Sequence, residues 1–175
     1  FTGFLALVLA SAGARLTDRG IAASVEVVAA IRAAVGDAIS LCTDHFGHGY
    51  LTLDEMIRLG EAWEPFHLAW IEDPMPWWDV AGHKRVADAL RTPIAAGEEL
   101  YLWDGFREFI EQRALDILHP DLLTSGGMLE TKREMRELAE EVERLDALAS
   151  ERLAAHQALR GAIAETQGAL ERARH

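Results

Sequence analysis

Only one cysteine, Cys42, occurs in the chain. No intrachain disulfide is therefore available, and a reducing, cytoplasmic compartment fits best. Cys42 lies in the apolar run Leu41-Cys42-Thr43, which predicts a buried small hydrophobe and not a reactive thiol. Long apolar runs are missing too, since none approaches the ~20 residues of a membrane span. The opening Phe4-Leu5-Ala6-Leu7-Val8-Leu9-Ala10 has only a strand's length. Without the basic flank of a signal peptide, it reads as a first strand. Positive charge is scarce: 17 Lys and Arg stand against 29 Asp and Glu, for a net charge of −12. Such a field repels phosphate backbones and anionic lipid, so neither nucleic acid nor a membrane is an expected partner.

Acids at the ends of apolar segments are what the chain does have. Leu41-Cys42-Thr43-Asp44, Ala69-Trp70-Ile71-Glu72 and Ile94-Ala95-Ala96-Gly97-Glu98 each read as a buried strand delivering one carboxylate at its C-terminal end. Asp44 and Glu72 are 28 residues apart, Glu72 and Glu98 are 26 apart, and Asp121 follows 23 later. A strand, a helix and two short loops occupy roughly 20 to 30 residues, so this is the period of successive βα units in a parallel sheet. With Phe4 to Leu9 and Ala114 to Leu118 added, about five parallel strands are expected up to Asp121. Between them the apolar spacing predicts helices. Ser24 caps the first, after a loop over Asp18 to Ile21. Thr52 caps the second, Val80 to Leu90 forms the third, and Asp104 caps a short fourth. A complete (β/α)8 barrel needs ~250 residues, and this chain has 175 and begins with Phe1. The expectation is a partial TIM-type barrel from a piece of a longer chain.

Beyond Gly126-Gly127 the character changes. From Leu129 to Arg174 there is no Pro and no strand-like run. Leu138, Val142, Leu145, Ala149, His156, Leu159, Ile163 and Leu170 fall on steps of four and three, close to a heptad seam. One long helix or a helical hairpin is expected, with Gly161 as the place for a break. Two roles stand open for it: packing on the chain's own sheet, or a coiled coil with a partner chain that makes a homo-oligomer. The expected organisation is a barrel domain over residues 1–132 and a helical extension over 133–175.

Carboxylates at the ends of neighbouring parallel strands converge on one face, where such sheets place their sites. Crowded like charges raise each other's pKa unless a cation sits among them. Three oxygen ligands suit a hard divalent ion such as Mg²⁺. Asp73 follows Glu72 and, by strand alternation, points to the opposite side. Glu99 reads as a solvated neighbour of Glu98, and Trp77 and Trp78 as loop anchors. Asp121 is a candidate for support behind the ligands or for pairing with a basic catalytic group. His45 and His48 follow Asp44 at the mouth of the site, and a histidine there suits proton abstraction next to a carboxylate. His119 faces either the site or the helices. His67 and His83 read as surface or boundary residues.

Thr43-Asp44-His45-Phe46-Gly47-His48, Trp70-Ile71-Glu72-Asp73-Pro74, Thr92-Pro93-Ile94-Ala95-Ala96-Gly97-Glu98 and Asp116-Ile117-Leu118-His119-Pro120-Asp121, followed by Gly126-Gly127, resemble the barrel domain of the enolase superfamily. They are most similar to its mandelate racemase branch, which includes acid-sugar dehydratases, and the likeness runs from about Phe4 to about Lys132. It implies that Asp44, Glu72 and Glu98 bind Mg²⁺. It also implies a lyase that removes the α-proton of a small hydroxy-carboxylate such as an acid sugar, stabilises the enediolate and expels a β-hydroxyl. Racemisation or epimerisation is the close alternative. The match is inexact in places: the family's dehydratases often carry a base histidine two positions after the aspartate, where this chain has Phe46. The lysine pair common at the end of the strand corresponding to Ala6 to Ala10 is absent, and the family's later strands and capping domain are not recognisable. A competing expectation is therefore a catalytically incomplete barrel with a helical interaction tail.

Overall fold

The computed structural model describes residues 15–44 and 51–173. The expected strand over Phe4 to Leu9, and both His45 and His48, lie outside the described residues. Two compact units divide the chain, Phe1–Thr131 and Lys132–His175.

In the first unit, helices alternate with short strands. They run α1 (Asp18–Val35), β1 (Cys42–Asp44), α2 (Leu53–Trp63), a 3-10 turn (Glu64–Phe66), β2 (Trp70–Glu72), α3 (Val80–Ala89), β3 (Ile94–Ala96), α4 (Leu102–Glu111) and β4 (Ile117–Leu118). The strands form one sheet in the order β1-β2-β3-β4, and every pairing is parallel. This is the expected partial-barrel architecture, with four strands among the described residues.

Capping chemistry fixes where the helices begin, and it corrects two expectations. α1 starts six residues ahead of Ser24, because Thr17 accepts the Gly20 N–H at 3.1 Å; Ser24 is buried inside the helix. Tyr101, not Asp104, occupies the cap position of α4, and Asp104 sits in the first turn, where the helix dipole favours an acid. At α2 the expected cap is present as a reciprocal box. Thr52 accepts the Glu55 N–H at 3.4 Å, and Glu55 accepts the Thr52 N–H at 2.9 Å. Glu55 also accepts the Leu16 N–H at 3.0 Å, which ties the lead-in of α1 to the start of α2.

Alternation within the strands sorts the sheet into two faces. Ile71 and Ile94, adjacent in register, are fully buried and join Val28, Met56, Leu59, Trp63, Val86 and Leu90 in the core beneath the helices. Cys42, Asp44, Trp70 and Glu72 share the opposite face. That assignment overturns the burial expected of Cys42: the thiol is exposed, because it lies on the face the helices do not cover. Partial burial and the charges of Glu72 and Asp44 push its pKa up, which favours the protonated thiol. His83 is a second correction. It is fully buried in α3, with its Nδ1 2.9 Å from the Asp79 carbonyl oxygen and its ring edge-on to Phe109. Burial pushes its pKa down and keeps it neutral.

α5 (Met128–Ala173) is one continuous helix of 46 residues, unbroken at Gly161. It lacks Pro, and helix formers such as Ala, Leu, Glu and Arg outweigh the ~1 kcal/mol that each of its two glycines costs. Ion pairs at helical spacing, Arg133 with Glu137 at 2.8 Å and Arg144 with Glu141, line its polar sides.

Candidate metal centre

Register brings the acids together at the C-terminal ends of the strands. Asp44 stands directly opposite Glu72 in the β1–β2 pairing, and Glu72 opposite Ala95 in β2–β3. Glu98 follows β3 by two residues, after Gly97 with φ +132°. A side chain at Gly97 is barred by more than its backbone, since a Cβ there would lie 2.6 Å from Phe106. Gly97 thus lets the chain turn over the Phe106 ring and carry Glu98 toward the sheet axis.

Carboxylate oxygens of Glu72, Asp73 and Glu98 lie within 4.8 Å of one another, a spacing at which one cation can touch all three. Asp44 is not part of that group of three, although its charge acts on Asp73. Asp73 was expected to face away. The difference lies in its backbone: φ is +47°, a left-handed conformation that ends the strand alternation. Aspartate tolerates that region better than most residues, and a held left-handed residue directly before Pro74 is the kind of strain that collects at functional sites.

The electrostatics favour a missing positive charge. Asp73 is 2% exposed, and neither carboxylate oxygen has a hydrogen-bond partner. Burial pushes its pKa up to about 8, with further repulsion from Glu99, Glu98, Glu72 and Asp44. Glu99 is accordingly more than the solvated neighbour expected; it is partly buried and carries the largest charge effect on Asp73. Orphaned acceptor oxygens in an all-carboxylate cluster are the donor set of a hard divalent cation, so the residues present fit Mg²⁺.

Glu72 is the best-held member. Its Oε2 accepts the Trp70 indole N–H at 3.0 Å, from the same sheet face two residues earlier. Its Oε1 is paired with Nδ1 of His119, which reaches across from the end of β4. Sequence reasoning left the direction of His119 open, and the structure turns it to the site. The signal was its place at the end of a strand, the same signal that marked the acids. Asp121, two residues on, is exposed, and its Oδ1 accepts the Leu123 N–H at 2.8 Å in the turn after β4. Trp77 and Trp78 are also exposed, edge to face with centroids 5.3 Å apart, in the loop that leaves β2.

A family model described as enolase C-terminal domain-like matches residues 10–166. The chain belongs to the enolase superfamily. Within it, the chain falls in the acid-sugar dehydratase branch. D-xylonate dehydratase of Haloferax volcanii is 38% identical over 109 residues, which is 62% of this chain and 26% of that protein. Among solved structures, L-talarate dehydratase from Polaromonas sp. JS666, complexed with Mg and L-glucarate, is 33% identical with a TM-score of 0.64 over 70% of this chain and 34% of that one. A mandelate racemase/muconate lactonizing enzyme-like protein from Rubrobacter xylanophilus is 39% identical with a TM-score of 0.65, over 71% of this chain and 31% of that one. The chain spans about a quarter of the length of the curated relatives it matches and about a third of the solved chains.

Proposed function

We propose that this enolase-superfamily chain carries the metal platform of a Mg²⁺-dependent lyase that dehydrates an acid sugar or a related small hydroxy-carboxylate, in a cytoplasmic setting. The observation that carries this reading is the trio Glu72, Asp73 and Glu98, converged and short of positive charge, with Glu72 and Asp73 buried and Glu98 partly so. Asp44, one strand over, completes the ligand set together with Glu72 and Glu98, and Asp73 lies close enough to join it. A bound divalent ion supplies the charge that stabilises the oxyanion formed as the α-proton leaves a substrate carboxylate's neighbour. Trp70 and His119 hold the Glu72 carboxylate in place from its two sides, as outer hydrogen bonds commonly do for metal ligands. His48 or His45 takes the α-proton; the β-hydroxyl then leaves as water with a proton from a general acid. Asp121 serves the turn behind the site. The domain organisation that goes with this reading is a barrel portion over residues 1–132 and a helical extension over 133–175.

The kinship of the chain with dehydratases solved with Mg supports the assignment. A second reading, a metal platform without turnover, is favoured by the absence of lysine in Ala6 to Ala10. Proton exchange separates the two. Incubated in D2O with Mg²⁺ and a mixture of acid sugars, a catalytic chain removes the α-hydrogen and releases a 2-keto product that takes up deuterium at the former β-carbon, both visible by NMR. Unchanged α-signals, from a protein that demonstrably binds Mg²⁺, would leave only the platform.

A further inference from the structure

The unit Lys132–His175 contains one element, the helix α5, and that helix carries an uncovered apolar stripe. Val142, Leu148, Leu153, Leu159 and Ile163 are all exposed, Leu159 to 60%. Val142, Leu159 and Ile163, with Leu145 and Ala149, follow the four-and-three spacing that keeps side chains along one seam, Leu148 and Leu153 flank it, and the partly polar layer formed by Arg152 and His156 lies in its middle. Such a stripe on a long helix calls for another helix. Charge decides which one, and in which direction.

A parallel, in-register pair sets Arg152 against Arg152 and His156 against His156, and brings Glu141 beside Asp146 of the other helix. All three juxtapositions are unfavourable or neutral. An antiparallel pair centred on Ala154 removes them. Leu145 then meets Ile163 of the second copy, Ala149 meets Leu159, and Arg152 meets His156. On the flanks Asp146 lies beside Arg160, Leu148 beside Ala162, and Leu153 beside its own counterpart. Two-fold symmetry repeats every pair, as an isologous contact requires. The two symmetry-related Arg152–His156 layers are the kind of feature that fixes register and direction in paired helices. From Leu145 to Ile163 the overlap is about 27 Å at the helical rise of 1.5 Å per residue.

We infer that α5 pairs antiparallel with α5 of a second copy of this chain, through the seam from Leu145 to Ile163 with Asp146 and Arg160 as its charged guides.

Disulfide trapping in the full chain tests both partner and direction. In a Cys42→Ser background, Leu145→Cys and Ile163→Cys are prepared separately, oxidised alone and as a mixture, and followed by sedimentation equilibrium. The antiparallel pair predicts a concentration-dependent dimer, no covalent dimer from either variant alone, and a covalent dimer from the mixture. Leu159→Lys should shift the equilibrium to monomer with its helical circular dichroism retained. Asp146→Arg should weaken the dimer, and Asp146→Arg combined with Arg160→Asp should restore it. A monomer at every concentration, meaning that the helix packs in its own chain or stands alone, overturns the inference. Self-crosslinking of Leu145→Cys, the mark of a parallel pair, overturns it equally.

Discussion

Replacing Glu98 with Gln should raise the melting temperature of the metal-free protein while abolishing its response to Mg²⁺. Glu72, Asp73 and Glu98 each bring one carboxylate oxygen to within 4.8 Å of the others. At that spacing and an effective dielectric of about 20, each ionised pair repels by about 3.5 kcal/mol. Glu98→Gln removes two of the three pairs. The full sum is never realised, because the raised pKa of Asp73, about 8, lets the cluster shed part of the strain by keeping a proton. A gain of roughly 1 to 2 kcal/mol is the reasonable remainder, or about 2 to 8 °C for a chain of this size. Mg²⁺ acts the other way on the parent protein: at about a hundred times its dissociation constant, it adds ~2.7 kcal/mol by linkage. That amounts to a rise of about 5 to 11 °C. Differential scanning fluorimetry at pH 7.5, with EDTA and then with increasing Mg²⁺, gives all four numbers. A Glu98→Gln protein that melts lower than the parent in EDTA, or that keeps the parent's full response to Mg²⁺, refutes the reasoning.

Three further outcomes follow from local geometry. Gly97→Ala places a methyl 2.6 Å from Phe106 at φ +132°, so it should shrink the Mg²⁺-induced melting shift although every carboxylate remains; isothermal titration calorimetry measures the loss. Burial pushes the Glu55 pKa up, but hydrogen bonds from Thr52, Leu16 and Arg15 outweigh it and hold the carboxyl below its usual 4.5. Its contribution to stability is therefore fully present above that pH and is lost as pH falls through the lowered folded value; urea midpoints between pH 3 and 7 should show this fall in the parent and a flatter profile in Glu55→Gln. Gly161 is helical, with nothing within 4 Å of an added Cβ, so Gly161→Ala should stabilise α5 by ~1 kcal/mol, read as added helicity at 222 nm during thermal melting.

The spacing of Asp44, Glu72 and Glu98 was enough to read three parallel strands, because a βα unit has a nearly fixed length; the acids that converge are Glu72, Asp73 and Glu98, without Asp44. Thr52 with Glu55 was readable for the same reason: a capping box is a local pattern. What escaped the sequence depends on single backbone torsions or on contacts distant in the chain. Asp73 was assigned to the wrong side because alternation presumes extended backbone, and its φ of +47° breaks that presumption. His119 reaches Glu72 from 47 residues away, a contact no local pattern announces. Cys42 was misjudged because an apolar run shows that a strand is present, but not that both of its faces are covered. Ser24 stands just before the helical spacing and so reads as the cap, whereas the helix already begins at Asp18, capped by Thr17, which accepts the Gly20 N–H.

The exposure of the lone thiol can be put to use. Cys42 is solvent-accessible, unique in the sequence, and shares a face with Asp44 and Glu72. A trifluoromethyl tag attached there would give a single fluorine resonance, and its chemical shift would register a dication arriving among the neighbouring acids. Alkylation has to be run on the alkaline side, since those acids delay ionisation of the sulfur.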